Sequence, residues 1–121
     1  EEMPAFYTID SGFKVDYQVD SAEQIAATLS AKWQLGLDGG VVIANPIPAE
    51  HSMDAELINS TINQAIVDMK EQGVSGKAST PFLLARIAQV TEGKSLEANN
   101  QLVYNNAALG AQIAVKLSNI S

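Results

Sequence analysis

The single histidine, His51, is the first side chain whose chemistry could serve catalysis or metal binding. An imidazole can act as a general base near neutral pH or as a metal ligand. Zinc sites combine several histidine, cysteine or carboxylate ligands, and this chain has no cysteine and no second histidine. No serine lies in the nucleophile-elbow pattern that could pair with His51. The sequence therefore favours a polar loop histidine without a catalytic role.

The lysines are the other candidate nucleophiles, because a neutral lysine amine can form an imine with a carbonyl substrate. Such a lysine must be desolvated or lie close to another cation. The pattern instead indicates surface side chains: Lys14 lies on the polar face of a predicted strand, and three lysines lie on helices beside apolar stripes, namely Lys32, Lys70 and Lys116. Lys77 and Lys94 lie in turns. We predict no catalytic residue and no metal ligand in this chain.

Two polar positions lie where α/β proteins commonly bind ligands. Asn45 follows a short apolar run, and ligands of open α/β sheets gather beyond the carboxyl ends of strands. An Asn-Pro turn is the simpler interpretation, and we favour it. The step Gly93-Lys94-Ser95 leads into a helix whose first N–H groups could bind an anion, although the first glycine of a P-loop is missing. Asn99 lies one turn inside that helix, where asparagine has poor propensity, so its amide either contacts a ligand or is simply exposed.

Three strands are expected in the first part of the chain. The segment 5–9 is aromatic and β-branched, residues 13–19 alternate between apolar and polar side chains, and residues 41–44 are uniformly apolar. These patterns predict a short strand, a half-buried strand and a strand buried on both faces, respectively.

Four helices are expected to surround these strands. They run from Ser21 to about Gly36, from Asp54 to Gly73, from Thr80 to Gly93 and from Ser95 to about Leu117. In the first helix we expect Ile25, Leu29 and Trp33 to form a buried stripe. A central strand needs neighbours on both sides, and three strands under four helices make a thin sheet. The simplest interpretation is that further strands come from sequence outside this chain.

The composition fits one domain or a large part of one. Of the 121 residues, 46% are hydrophobic and 17% are charged. The net charge of −7 disfavours a nucleic-acid partner, because an acidic surface repels phosphate backbones. No apolar run approaches the ~18 residues of a membrane span, and the chain does not begin with a signal peptide. A cytoplasmic location without a membrane partner is therefore expected.

Several strings of the sequence are unusual enough to indicate a family. They are Ala44-Asn45-Pro46-Ile47-Pro48, Thr80-Pro81-Phe82-Leu83-Leu84-Ala85-Arg86, Ser95-Leu96-Glu97-Ala98-Asn99 and Asn105-Asn106-Ala107. In these strings, and from end to end, the chain resembles the pseudouridine-5′-phosphate glycosidase family, also called indigoidine synthase A-like. Members are considerably longer, so residues 1–121 are expected to be the C-terminal portion of a single glycosidase domain.

The resemblance implies a three-layer α/β/α fold with a mixed sheet, incomplete in this fragment, and assembly as a homotrimer. The implied reaction is reversible, lyase-like cleavage of the C–C glycosidic bond of pseudouridine 5′-phosphate, giving uracil and ribose 5-phosphate. It proceeds through an imine between a lysine and the sugar C1, with a glutamate moving the proton and manganese bound by an aspartate. The resemblance assigns these three residues to the family segment that precedes Glu1, so the isolated 121 residues are expected to be inactive.

One site residue follows from the resemblance. Asn99 corresponds to the family's active-site asparagine in the Ser-Leu-x-x-Asn motif, which implies a hydrogen bond to substrate, plausibly to the uracil edge. Two alternatives stay open. The chain could be a non-catalytic accessory or binding module, or it could belong to a family member that acts on another C-glycoside.

Overall fold

The structure, a computed structural model, describes residues 2–120 and is mainly helical. Glu1 and Ser121, the two ends of the predicted domain, lie outside the described residues. The described residues form four α-helices: α1 (Ala22–Gln34), α2 (Ala55–Glu71), α3 (Ser79–Val90) and α4 (Lys94–Ile120). Short 3₁₀ turns at Ala49–His51 and Gly76–Ala78 precede α2 and α3.

The starts of α1 and α2 confirm the predicted caps. The Ser21 Oγ accepts a hydrogen bond from the Gln24 N–H at 3.2 Å, and the Gln24 Oε1 accepts one from the Asp20 N–H at 2.8 Å. At α2, the Asp54 Oδ1 accepts a hydrogen bond from the Leu57 N–H at 2.8 Å. Each contact satisfies a backbone donor that has no partner inside the helix. Both boundaries were therefore predictable from local sequence.

Two hydrophobic clusters hold the described helices together, and both include α4. The first joins α2, α3 and the first half of α4 to the N-terminal segment; its buried members are Tyr7, Ile47, Ile58, Ala65, Ile87, Ala98 and Leu102. The second joins α1 to the last half of α4, through Ala22, Ile25, Leu29 and Ile113. At ~1.5 Å per residue, the 27-residue helix α4 is about 40 Å long, which is enough to serve both clusters.

The three predicted strands are wrong for the described residues. The nearest to a strand pair is an isolated antiparallel bridge between Glu2 and Lys14. In segment 13–19 the face predicted to be buried is open at Phe13 and at Tyr17, which is 84% exposed, whereas Val19 packs against the second cluster. Segment 41–44 is irregular, and Val42 is 92% exposed. A strand forms only when a neighbour accepts and donates its backbone hydrogen bonds, and no described segment lies beside 41–44 to do so.

The chain also exposes more surface than a complete domain of its mass does. Its accessible surface is 8331 Å², whereas a folded monomer of its 12.8 kDa mass exposes about 6,300 Å². Trp33, predicted to be buried in the α1 stripe, is 52% exposed. Exposed apolar side chains then follow one another through Leu35, Leu37, Val41, Val42 and Ile43. Contiguous apolar patches of this kind mark surfaces that other protein covers.

An ion pair fixes α2 against α3. The Arg86 Nε donates to the Asp68 Oδ2 at 2.6 Å, and the Gln64 Nε2 donates to the Asp68 Oδ1 at 2.9 Å. These hydrogen bonds, from Gln64 first and then from Arg86, lower the pKa of the Asp68 carboxyl from its ordinary value of 3.8. Arg86, from the unusual TPFLLAR string, therefore has a structural role.

The buried Ile47 gives a first prediction. Its side chain is 1% exposed in the first cluster, so Ile47→Ala should lower the free energy of unfolding by about 2–5 kcal/mol. The matched control is Val42→Ala, which should change it by less than about 0.5 kcal/mol because Val42 is exposed. Urea denaturation of both variants measures the difference. Equal losses would mean that 41–44 is packed as tightly as Ile47.

The Asp68 ion pair predicts a pH dependence. Because its folded pKa is depressed, the unfolded state binds the proton first as the pH falls, and folding stability is lost below the ordinary pKa. Between ~pH 5 and ~pH 2, the wild type should therefore lose more stability than Asp68→Asn, which has no carboxylate to protonate there. Denaturant titrations across this range test the difference. The control is Asp16→Asn, at an exposed position, which should keep the wild-type slope.

Candidate functional site

Asn99, the predicted substrate contact, lies on α4 beside the first hydrophobic cluster. Its neighbours Ala98 and Leu102 are buried in that cluster, while the Asn99 side chain itself is half-buried. Its amide makes no hydrogen bond to another residue within 2–120. A carboxamide offers two donors and one acceptor oxygen, so Asn99 is free to bind a ligand.

A second amide cluster joins the end of segment 41–44 to α4. The Asn45 Nδ2 donates to the Asn106 Oδ1 at 3.0 Å, and the Asn105 Nδ2 donates to the Pro46 carbonyl oxygen at 3.0 Å. We call these contacts of Asn45, Pro46, Asn105 and Asn106 the asparagine clamp. The sequence favours a simple turn at Asn45, whereas the structure shows a long-range contact with α4. Two adjacent poor helix formers inside a long helix were the signal that could have revealed it.

The predicted anion site at the start of α4 is largely occupied by the protein's own groups. The helix begins at Lys94 rather than Ser95, and Ser95 is buried at 2% exposure. The Ser95 N–H donates to the Thr91 Oγ1 at 3.2 Å, and the Lys94 N–H donates to the Thr91 carbonyl at 3.1 Å. The Glu97 N–H donates to the Gly93 carbonyl at 3.1 Å. Thr91, and not Ser95, is therefore the capping residue.

His51 lies beside an open groove of about 330 Å³ between its loop and the start of α4. The groove is lined by Glu50, His51, Ser52, Met53, Asp54, Leu57, Lys94, Glu97 and Ala98. Three carboxylates against one lysine and one histidine do not favour a phosphate. The loop is held by the Met53 N–H, which donates to the Tyr7 carbonyl at 2.9 Å, and by the Ser52 Oγ, which accepts from the Ile9 N–H at 3.3 Å.

Two lysines contact other groups of the chain. The Lys32 Nζ donates to the carbonyl oxygens of residues 37, 38 and 39 at 2.8, 3.0 and 3.0 Å, which uses all three of its protons. The Lys116 Nζ pairs with the Glu23 Oε1 at 2.6 Å and lowers the pKa of that carboxyl.

Comparison with known proteins identifies the family. Residues 1–116 match the family model of the indigoidine synthase A like protein. The chain belongs to this family. It is 56% identical over all 121 residues to the pseudouridine-5′-phosphate glycosidase of Clostridium botulinum, covering 39% of that protein. It is 62% identical over 112 residues to the glycosidase of the same name from Hahella chejuensis, covering 93% of this chain and 37% of the relative.

Two solved structures share the fold of this chain. An indigoidine synthase A-like protein from Thermotoga maritima superposes with a TM-score of 0.81 at 30% identity, over 96% of this chain and 38% of its own. The prealnumycin C-glycosynthase AlnA, solved in complex with ribulose 5-phosphate, superposes with a TM-score of 0.86 over 98% of this chain and 39% of its own. At 23% identity, this second likeness shows the fold alone. The chain spans about two-fifths of the length of the curated relatives, as the C-terminal portion.

The capping role of Thr91 gives a testable prediction. Thr91→Val keeps the shape of the side chain but leaves the buried Ser95 N–H without its acceptor, which should cost about 1–3 kcal/mol of unfolding free energy. The control is Thr28→Val on α1, whose hydroxyl only donates to the Gln24 carbonyl on an exposed face. Thermal denaturation of the two variants compares them. If both lose the same stability, Thr91 does not cap α4.

Proposed function

We propose that this chain is the C-terminal portion of a pseudouridine-5′-phosphate glycosidase, which reversibly cleaves pseudouridine 5′-phosphate to uracil and ribose 5-phosphate. The observation that supports the proposal is the 56% identity to the Clostridium botulinum glycosidase across every residue of the chain. The half-buried, unpaired amide of Asn99 on α4 agrees with it.

In this proposal the catalytic groups lie in the portion of the complete polypeptide that precedes this chain. A carbon leaving group is poor, so cleavage requires more than a pair of carboxylates. An imine between a lysine amine and the sugar C1 provides an electron sink beside the bond that breaks, and water then releases the sugar. The family resemblance assigns the nucleophilic lysine and the acidic glutamate to the portion that precedes this chain, and the contacts of Lys32 and Lys116 with other groups agree with that assignment.

Manganese does not fit the residues of this chain. Within residues 2–120, no three histidine, cysteine, aspartate or glutamate side chains lie close enough together to hold a metal ion. The metal-binding aspartate that the resemblance implies belongs to the preceding portion, and no step of the proposal depends on the metal.

In this proposal Asn99 recognises the uracil base of the substrate. Uracil presents alternating carbonyl and N–H groups on its edge, and a carboxamide can accept from one and donate to the other. A site built to pair such groups discriminates strongly, because its polar atoms are left unsatisfied when the wrong base binds. Asn99 is thus a substrate-binding residue rather than a catalytic acid or base.

The exposed segment 41–44 supports the finer architecture. Its backbone has no partner in the described residues, and its side chains are apolar on both faces. In the complete polypeptide this segment becomes a strand of a mixed sheet between two helical layers.

Homotrimeric assembly is also part of the proposal. A cytoplasmic location stays a prediction, and within residues 2–120 no helix is both long and apolar enough to cross a membrane.

The reaction is tested with the complete polypeptide in the synthetic direction. Uracil, ribose 5-phosphate and Mn²⁺ should give pseudouridine 5′-phosphate, identified by mass spectrometry, whereas the 121-residue chain alone should give none. Product from the 121 residues alone would place the lysine within this chain. No product from the complete polypeptide, with turnover of a different base, would assign another C-glycoside as substrate.

Asn99 gives the mutational prediction for this site. In the complete polypeptide, Asn99→Ala should lower kcat/KM for uracil by about tenfold to a hundredfold, since one or two hydrogen bonds to substrate are lost. Asn100→Ala, which removes an exposed amide at the next position of the same helix, is the matched control and should leave kcat/KM unchanged. Steady-state kinetics measures kcat/KM of both variants. Equal effects of the two substitutions would mean that Asn99 does not bind the substrate.

A further inference from the structure

Asn99 and Asn106, one residue of the asparagine clamp, lie on the same side of α4. Asn99 and Asn106 are seven residues apart, which is close to two full turns, so they lie on the same face of α4 about 10 Å apart along its axis. Asn106 is the residue that accepts the hydrogen bond of Asn45. The face that presents Asn99 is therefore also the face that holds the end of segment 41–44.

Apolar packing alone does not fix this arrangement. Ile47 packs in the same cluster as Ala98 and Leu102, which sets the distance between the loop and α4. Hydrophobic contact is non-directional, so it tolerates rotation and sliding of the helix. Hydrogen bonds weaken steeply when their angles change, so the two bonds of the clamp specify the rotation of α4 about its axis.

The directions of the two bonds make the clamp asymmetric. Asn106 supplies an acceptor to the Asn45 Nδ2, whereas Asn105 supplies a donor to the Pro46 carbonyl. A carboxylate could replace the first amide, because it accepts hydrogen bonds, but it could not replace the second, because it has no proton to donate.

We propose that Asn105 and Asn106 are positioning residues, which hold α4 at one rotation against the loop after segment 41–44 and thereby aim Asn99 at the substrate. The inference rests on the proposed function of Asn99. The clamp residues themselves do not touch the substrate.

A double-mutant cycle in the complete polypeptide tests the coupling. Asn106→Ala should lower kcat/KM for uracil by about tenfold in the wild-type background, since a misplacement of ~1 Å is costly. In the Asn99→Ala background the same change should have less than a ~twofold effect, because the residue being aimed is already gone. Equal losses in both backgrounds, or no loss in either, would overturn the proposal. Asn119→Ala, an exposed amide on the same helix, should have no effect in either.

The asymmetry of the clamp gives a second readout. Asn106→Asp should keep near-wild-type kcat/KM, whereas Asn105→Asp should lose as much as Asn105→Ala. Equal sensitivity of both positions to aspartate would contradict the assigned hydrogen bonds.

Hydrogen exchange of the Asn45 side-chain amide protons, which the clamp bonds to the Asn106 Oδ1, separates this inference from the proposed reaction. Exchange should accelerate in Asn105→Ala and Asn106→Ala and stay at the wild-type rate in Asn106→Asp and Asn119→Ala, whatever the substrate is. If the wild type made no pseudouridine 5′-phosphate, the proposed reaction would fail; the cycle would then be run with whichever base is turned over. Unchanged exchange in the alanine variants would overturn the clamp by itself.

Discussion

The described structure depends on the burial of a single long stripe on α4. The first half of this helix, with Ala98 and Leu102, completes the cluster made by α2 and α3, and its second half, with Ile113, is the main partner of α1. The two clusters have no buried residue in common, so α4 is the element that relates them. The asparagine clamp adds hydrogen bonds from Asn45 and Pro46 to the middle of α4, at a position along the helix that lies between the two clusters.

Local features of the fold could be predicted from the sequence because their causes are local. Ser21 and Asp54 cap their helices through contacts three residues away, and a pattern read along the chain is enough to find such contacts. The start of α4 was missed by one residue, because the cap is the Thr91 hydroxyl in the preceding turn and not Ser95. At all three helix starts a side-chain oxygen accepts a hydrogen bond from a backbone N–H; the helices differ only in which residue provides that oxygen.

Strands and site contacts were harder to predict, because their causes are distant in sequence. Segment 41–44 has the composition of a buried strand, but a strand is defined by its neighbours, and the described chain provides none. The clamp joins residues about sixty positions apart, so nothing near Asn45 in the sequence indicates Asn106. Asn99 was predicted from its motif, and its role as a substrate contact stays a prediction; the structure adds that its neighbours Ala98 and Leu102 are buried.

The exposed run at 41–44 makes the chain by itself prone to aggregation. Four consecutive apolar residues with unsatisfied backbone groups on both margins form a template onto which an identical segment of another molecule can add. Its low charge and β-branched side chains are those of segments that stack into cross-β assemblies. Aggregation is therefore the competing fate of this segment whenever it is synthesised or released before its intended neighbours are in place.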